Sequence, residues 1–486
     1  MIDCKVKRYF KKSQKYSKKQ IQDRALLVNQ LPPLAPNCFV PTPKQSKIDN
    51  YALNAGSLWD EELGKFAKYR ELIHHPNESI RKTWMKSGED EFGRLFQGFE
   101  PNGIKGMNVL QWIAKHEVPQ HKKVTYPRYT VAYRPEKADP NRTRITAGGD
   151  RLDYDGNVTT NTATLETIKT HWNSVISTPG AKYCTGDISN MYLESALDDP
   201  EYVRFQWDMI PPRIREAYGL EKLVSNGFVY ARIVMAWYGL KQAGRQWNKK
   251  LTKWLTDYGF IVSDADPSLF LLERNINDVG QTVRLNVHVD DAFAIYTHEK
   301  MYNEFKRELM RDFDLSSSAD ADVFLGITIE KLKDGAIKIV QRRYVDDIVA
   351  TFLDSGEKPA KTPYVVSWKL SKEMQPQTEE AKKEMAEVPY RKLVGMLLHL
   401  ANCTRPDIAA AVGILGKFNA NTGIKHWKAG LEVVKYIKCT ADYGVVYGRR
   451  QEGIPHVQLC GYSDASWADD PDDRTSRAGT MLWSWG

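Results

Sequence analysis

Two adjacent carboxylates interrupt an otherwise apolar, alternating run: Val283-Arg-Leu-Asn-Val-His-Val-Asp290-Asp291-Ala-Phe-Ala-Ile-Tyr296. Val283, Leu285, Val287 and Val289 recur at period two, and Phe293 and Ile295 resume the pattern. That spacing predicts a strand, a tight acidic turn and a second strand. Two like charges about 4 Å apart at an effective dielectric of about 20 repel by roughly 4 kcal/mol. Asp also favours turns, so a solvated hairpin is one reading. A chain that must hold two divalent cations is the other, and it needs a third carboxylate.

Asp187 supplies a candidate. Tyr183-Cys-Thr-Gly-Asp187 reads as a short strand ending on a carboxylate, well upstream of the pair and separated from it by a long helix. A strand-end Asp beside a hairpin bearing Asp-Asp can present three carboxylates from adjacent antiparallel strands. Two divalent ions held there would lie about 3.5–4 Å apart. A second acidic pair, in Tyr344-Val345-Asp346-Asp347, is a decoy. Tyr344, Val345, Ile348, Val349, Phe352 and Leu353 form a helical stripe, which puts Asp346 and Asp347 on the polar face. Asp354-Ser-Gly356 reads as the end of that helix.

The rest of the chain bounds the class. A length of 486 residues suggests two to four compact units, and 42% apolar with 11% aromatic residues is enough to build cores. The net charge is +8, with basic residues crowded near the N-terminus (Lys5, Lys7, Arg8, Lys11, Lys12), which favours a nucleic-acid partner. Cys4, Cys38, Cys184, Cys403, Cys439 and Cys460 show no CxxC spacing, which points to a reducing compartment. The ten histidines match no zinc-binding spacing. No apolar run reaches the roughly 18 residues of a membrane span, and the basic start has no apolar segment behind it.

Periodicity predicts further elements. Residues 1–56 read as a basic, proline-rich linker, and 57–123 as an N-terminal helical extension with Trp84 to Phe96 its clearest helix. Tyr129 to Tyr133 alternates like a strand, and Arg142 to Arg151 continues as a β-ribbon. Helices are expected from Leu165 to Ile176, from Trp247 to Tyr258 with Gly259 as C-cap, and from Met301 to Phe313. Phe324 to Glu330 and Ala336 to Val340 should pair across Asp334-Gly335. Helices over 390–401, 406–418 and 425–438 precede strands over 457–463 and 478–484.

With these residues in view, the chain resembles the reverse transcriptase of copia-type LTR retrotransposons. The strings are Asp187-Ile-Ser-Asn-Met-Tyr192-Leu, Tyr238-Gly-Leu-Lys-Gln242-Ala-Gly-Arg-Gln-Trp247 and Asp266-Pro-Ser-Leu-Phe270. His288-Val-Asp-Asp, Phe324-Leu-Gly-Ile, Tyr390-Arg-Lys-Leu-Val-Gly395, Thr404-Arg-Pro-Asp407-Ile, His426-Trp-Lys428 and Gly461-Tyr-Ser-Asp464-Ala-Ser-Trp467 continue the series. Each string is weak alone, and their order and spacing together are specific.

The resemblance implies an α+β right-hand polymerase with fingers, palm and thumb, a helical connection and a truncated RNase H-like start. Its divisions would be fingers and palm at 124–300, thumb at 301–384, connection at 385–456 and the incomplete RNase H-like segment at 457–486. It implies that Asp187, Asp290 and Asp291 bind two Mg²⁺ ions (Mn²⁺ as the alternative), assisted by the Ile188 carbonyl. Tyr192 matches an aromatic steric gate against a ribose 2′-OH, and Gln242 a contact to the nucleotide sugar. Arg142 and Arg144 fall where basic residues grip the triphosphate. His288 stands where the family usually has tyrosine and Gly244 where it usually has proline. Asp464 would be the first metal ligand of the RNase H fold, and no RNase H activity is expected.

The expected reaction is RNA-directed (or DNA-directed) DNA synthesis by two-metal nucleotidyl transfer. Implied partners are an RNA template, a DNA or tRNA primer, dNTPs, and the integrase and capsid proteins of the same element. The expected setting is a cytoplasmic virus-like particle, with the nucleus as the alternative and no membrane. Two other readings stand beside it: an RNA-directed RNA polymerase, which a bulky Tyr192 opposes, and an inactive transposon remnant that only binds nucleic acid.

Overall fold

The computed structural model describes residues 56–134, 139–319, 323–333, 335–354, 356–364, 369–448 and 458–485. The basic N-terminal arm, Cys4, Cys38 and Asp334 lie outside the described residues. The chain divides into two compact units, one within Ser46–Ile168 and Lys182–Asp320, the other within Lys169–Ala181 and Ala321–Gly486.

The first unit is strand-rich. Its first long helix is α1 (Glu78–Leu95), whose N-terminus Asn77 caps by accepting the Ser79 N–H at 2.9 Å. Then come β1 (Leu110–Ile113), β2 (Val124–Thr125), β3 (Pro127–Tyr133), β4 (Asn141–Ala147) and the start of α2 (Leu165–Ser177). Next are β5 (Lys182–Ile188), β6 (Ala196–Gln206), β7 (Phe228–Met235), α3 (Ala243–Tyr258) and β8 (Ile261–Val262). The unit closes with β9 (Leu269–Ile276), β10 (Val279–His288), β11 (Asp291–Tyr296), α4 (Glu299–Asp312) and β12 (Leu315–Ala319).

Two sheets carry this unit. One has the order β1-β7-β6-β2 and packs Val203, Phe205, Val229, Ala231 and Ile233 against Phe92 of α1 and Phe96 just after it. The other is fully antiparallel, with the order β8-β9-β10-β11-β5-β12. Its inner face sets Cys184, Ile188, Leu285, Val287, Ala292 and Ala294 against Trp247, Leu251 and Leu255 of α3 and Phe305 and Leu309 of α4. The Trp254 indole N–H donates to Asp312 at 2.7 Å and ties the two helices together. Gly259, at φ 114°, ends α3 in the left-handed conformation that its position required.

The segment 57–123 is not simply helical. Besides α1 and a short helix at Tyr69–Ile73 it contains strands at Leu58–Asp60, Lys65–Ala67, Gly98–Phe99 and Ile104–Lys105, and β1. β1 pairs with β7 and its Leu110 enters the same core as α1, so tertiary pairing overrides the local helical pattern. Residues 301–319 likewise belong to the six-stranded sheet: α4 fills its inner core and β12 pairs with β5.

The second unit contains β13 (Val323–Phe324), β14 (Ile327–Lys331), β15 (Ile337–Val340), α5 (Arg342–Phe352), α6 (Tyr390–Cys403), α7 (Ala409–Gly416) and α8 (Ile424–Cys439). β16 (Val445–Tyr447), β17 (Gln458–Ala465) and β18 (Ala478–Trp485) follow. The four helices share one core of Ile348, Leu393, Leu397, Leu400, Leu415 and Val434. The segments expected as thumb and connection therefore meet in a single hydrophobic body. The strand expected over Phe324 to Glu330 is broken, because Leu325 (φ 50°) and Gly326 (φ 72°) form a tight turn between β13 and β14. Arg405 is buried and makes a two-pronged contact with Asp407 while donating to Thr440 O, which closes the α6–α7 junction onto the end of α8.

Leu397 is fully buried in the helical core, so truncating it leaves a cavity there. Leu397→Ala should lower the unfolding free energy of this unit by about 2–5 kcal/mol, read by denaturant titration.

Candidate active site

The carboxylates meet because of register. β5 and β11 run antiparallel with Asp187 directly opposite Asp291, Gly186 opposite Ala292 and Cys184 opposite Ala294. Ala292, Ala294 and Cys184 point into the helix-packed core, so alternation turns Asp187 and Asp291 to the other face. Directly opposed residues have Cβ atoms about 4.5–5.5 Å apart, and like charges there repel. Asp290 occupies the turn between β10 and β11 and is exposed, as is Asp187, while Asp291 is half-buried. Burial, then the charges of Asp290 and Asp187, push the Asp291 carboxyl up from 3.8 to about 6, and His288 partly opposes them.

The turn itself is strained. Val289 sits at φ 63°, a left-handed conformation costly for a β-branched side chain. Two hydrogen bonds hold it. The Trp247 indole N–H donates to Val289 O at 3.1 Å, and the Ile188 N–H donates to Asp290 O at 2.9 Å. Trp247 is 2% exposed, so its bond comes from a rigid, buried ring on α3. On the other side, His288 Nδ1–H donates to Ala163 O at 3.2 Å, and Ala163 N–H donates to Val287 O at 3.2 Å. Asp266 anchors that segment by accepting the Thr164 N–H and the Thr167 hydroxyl at 3.2 and 2.6 Å.

Tyr192 is half-buried in the short helical turn Met191–Glu194 just past Asp187, with its ring 5.2 Å from that of Tyr238. Burial and the charge of Asp290 raise its hydroxyl above the ordinary phenol range, which places it in the field of the acidic turn. A Cβ on Gly244 would come within 3.0 Å of Thr160 Oγ1 and 3.7 Å of the Tyr192 hydroxyl, so glycine leaves that wall uncrowded.

Arg142 and Arg144 share one face of the β3–β4 ribbon. The ribbon is pinned where Ala147 N–H donates to Tyr238 O at 2.7 Å. A Cβ on Gly149 would lie 2.1 Å from Gly239 O, which explains the paired glycines after Ala147. This contact sets the Arg144 guanidinium 4.7 Å over the Tyr238 ring, and Tyr238 in turn feels Asp290. Burial, together with Arg144, Arg94 and Arg134, holds Arg142 below the ordinary arginine range.

Gln242 is a buried residue. It is 4% exposed at the start of α3, and its side chain bonds to Glu201. Asp346 and Asp347 are exposed on α5, on the polar face that periodicity predicts. Asp464 is exposed in β17, opposite Gly479. The sequence reading missed Trp247 and Asp266 as supports of the turn. A buried indole needs a hydrogen-bond acceptor, and that is the one signal that pointed to Trp247.

Three carboxylates at the end of an antiparallel sheet offer hard oxygen donors whose mutual repulsion a divalent cation relieves, so the donor set fits such an ion. Among the described residues no three His, Cys, Asp or Glu side chains are already closed round one point. The site is an open cluster and not a preformed cage.

Residues 153–366 match the family model described as reverse transcriptase (RNA-dependent DNA polymerase). Asp187, Tyr192, Gln242, Asp290 and Asp291 fall inside that range, and Arg142 and Arg144 fall before it. The sheet, its acidic end and this match together define a reverse transcriptase domain. Its relatives are the Pol polyproteins of copia-type retrotransposons. The chain is 30% identical over 297 residues to the retrovirus-related Pol polyprotein from transposon TNT 1-94 of Nicotiana tabacum, covering 61% of this chain and 21% of that protein. It is 31% identical over 297 residues to the Pol polyprotein from transposon RE2 of Arabidopsis thaliana, covering 61% and 18%. A putative transposon Ty5-1 protein of Saccharomyces cerevisiae is 26% identical over 284 residues, covering 58% of this chain and 82% of that one. The chain thus spans about a fifth of the length of the plant polyproteins it matches. A telomerase structure from Candida albicans aligns weakly, with a TM-score of 0.29 at 10% identity over 68% of this chain and 59% of that one.

Two outcomes follow from this geometry. Trp247→Phe keeps the ring in the core and removes the N–H, so it should cost about 1–2 kcal/mol of stability in thermal or denaturant unfolding. The folded-state value of Asp291 lies above its unfolded value, so its ionised form opposes folding. That penalty is absent below about pH 4 and full above about pH 6. Without divalent ions, Asp291→Asn should therefore stabilise the protein by about 1–2 kcal/mol at pH 7.5 and by almost nothing at pH 3.5, measured by denaturant titration at both.

Proposed function

We propose that this chain is an RNA-directed DNA polymerase of a copia-type retrotransposon that works by two-metal nucleotidyl transfer. The observation that carries the proposal is the β5–β11 register, which opposes Asp187 to Asp291 beside Asp290 within the segment matching the reverse transcriptase family. The palm is the six-stranded sheet with α3 and α4. The fingers are the β1-β7-β6-β2 sheet with the β3–β4 ribbon, and the thumb and connection are the helical core of α5 to α8.

Asp187, Asp290 and Asp291 would hold the two ions, Mg²⁺ by preference for oxygen donors or Mn²⁺, with the Ile188 carbonyl at the same strand end. Bound there, the ions would lower the pKa of the primer 3′-hydroxyl and neutralise charge on the leaving oxygen. The protein's own part is positioning. Trp247 and Ile188 fix the turn, and the strained Val289 leaves Asp290 little freedom. The primer 3′-oxygen bonds to the dNTP α-phosphorus as the bond to the β-phosphate oxygen breaks and pyrophosphate leaves. Arg144 and Arg142 would face the triphosphate, and the Tyr192 ring would stand where a ribose 2′-hydroxyl would clash. Gln242 would reach the sugar only after leaving Glu201. RNA template, DNA or tRNA primer and dNTPs are the proposed partners, together with integrase and capsid proteins of the same element. A virus-like particle in the cytoplasm, with nuclear passage, is the proposed setting. No helix among the described residues is long and apolar enough to cross a membrane.

The test is primer extension on an RNA template with Mg²⁺. Wild type and Asp346→Asn/Asp347→Asn should extend alike, and Asp290→Asn/Asp291→Asn should lose at least about 10³-fold in rate. Extension by the latter would show that the metals sit elsewhere. Tyr192→Ala should admit rNTPs, and unchanged sugar selectivity would remove the gate assignment.

A further inference from the structure

The β1-β7-β6-β2 sheet has a second face that the polymerase reading does not use. Val203 and Phe205 of β6 and Val229, Ala231 and Ile233 of β7 point into the core. Tyr202, Arg204, Phe228, Tyr230 and Arg232 therefore share the opposite face. The register sets Arg204 beside Tyr230 and Arg232 beside Tyr202, so arginines and aromatics alternate across the two strands. The Arg204 guanidinium lies 4.5 Å over the Phe228 ring. Tyr202 and Tyr230 form an apolar floor with Ile113, while Arg204, Phe228 and Arg232 remain partly exposed above it.

This face runs into a basic cleft. Ser225 pairs with Phe228, and Ser225 also lines a cleft of about 450 Å³ together with Lys115, His116 and Lys222. Among the described residues, none of Lys115, Lys222, Arg204 and Arg232 forms an ion pair with a carboxylate. The Nε of Arg232 is buried and has no hydrogen-bond partner there. Four uncompensated cations around partly exposed aromatic and guanidinium planes match a flexible polyanion with stacking bases.

We propose that this outer face binds single-stranded nucleic acid, with Lys115, Lys222 and Arg232 taking phosphates and the Arg204–Phe228 stack taking a base. In the polymerase reading, on which this assignment of the strand rests, the occupant is the template not yet copied. Binding is sequence-tolerant, because every base has a face to stack, and depends on salt through phosphate contacts.

The test is fluorescence anisotropy of the full chain with two labelled RNA–DNA duplexes, one blunt and one with a single-stranded 5′ template extension. Two variants are compared, Lys115→Glu/Lys222→Glu on the surface and Arg204→Ala/Arg232→Ala on the sheet, each with an unchanged melting temperature. Wild type should prefer the extended duplex about tenfold or more, and each variant should lose that preference while binding the blunt duplex within about twofold of wild type. The slope of log affinity against log salt for the extended duplex should fall by about 0.7 per lost phosphate contact, so by roughly 1.4 in the surface variant and roughly 0.7 in the sheet variant. Equal binding of the extended duplex by wild type and surface variant would overturn the proposal, and so would a parallel loss of the blunt duplex. Primer extension is read on the same samples. A protein that fails to extend but loses the preference in the variants would overturn the polymerase reading and leave this one standing.

Discussion

The antiparallel register between β5 and β11 is the constraint on which the rest of the site depends. A strand has a side-chain period of two, so a slip of one residue would turn Asp187 and Asp291 onto the face that packs Cys184, Ala292 and Ala294 against α3 and α4. The helices α3 and α4 prevent that slip, because their apolar faces match only one face of the sheet. Burial of Trp247, Leu251, Phe305 and Leu309 against it, worth roughly 1.5–3 kcal/mol per large side chain, outweighs the repulsion of carboxylates that are only partly desolvated. Hydrophobic packing thus holds together a charge arrangement that opposes folding.

The same helix that supplies the packing also controls the turn. Trp247 buries its ring with the sheet core and spends its one polar atom on Val289 O, so packing and positioning are joined in one residue. A β-branched residue in the left-handed region persists only where its surroundings over-determine it, and here bonds to Val289 O and Asp290 O do so. The acidic tip is therefore rigid from below and open above, an arrangement suited to ions and substrate arriving from solvent. The Gly149–Gly239 contact serves the arginine ribbon in a similar way, since close backbone approach fixes where Arg144 stands.

Much of this was legible in the chain alone. Period-two alternation around Asp290-Asp291 located the hairpin, helical stripes located α2 to α6, and the stripe through Tyr344 and Ile348 separated the acidic decoy from the site. Those signals are local, and local periodicity reports which face is buried. The strand content of 57–123 was not legible, because strands of two to four residues carry too little period to read. The break at Leu325-Gly326 was hidden because leucine rarely adopts positive φ, and only the Gly that follows it hinted at a turn.

By itself the sequence determined the longer helices and the acidic hairpin, their polar and apolar faces, the candidate carboxylates and the family they resemble, because these follow from side-chain chemistry and spacing. Tertiary structure decided what those residues meet. It set Asp187 opposite Asp291, hung the strained turn from Trp247, turned Gln242 inward to Glu201, and joined the helices around Leu397 into one core. Register and burial are long-range properties: each depends on a partner far away in the chain, and no local pattern records which partner that is.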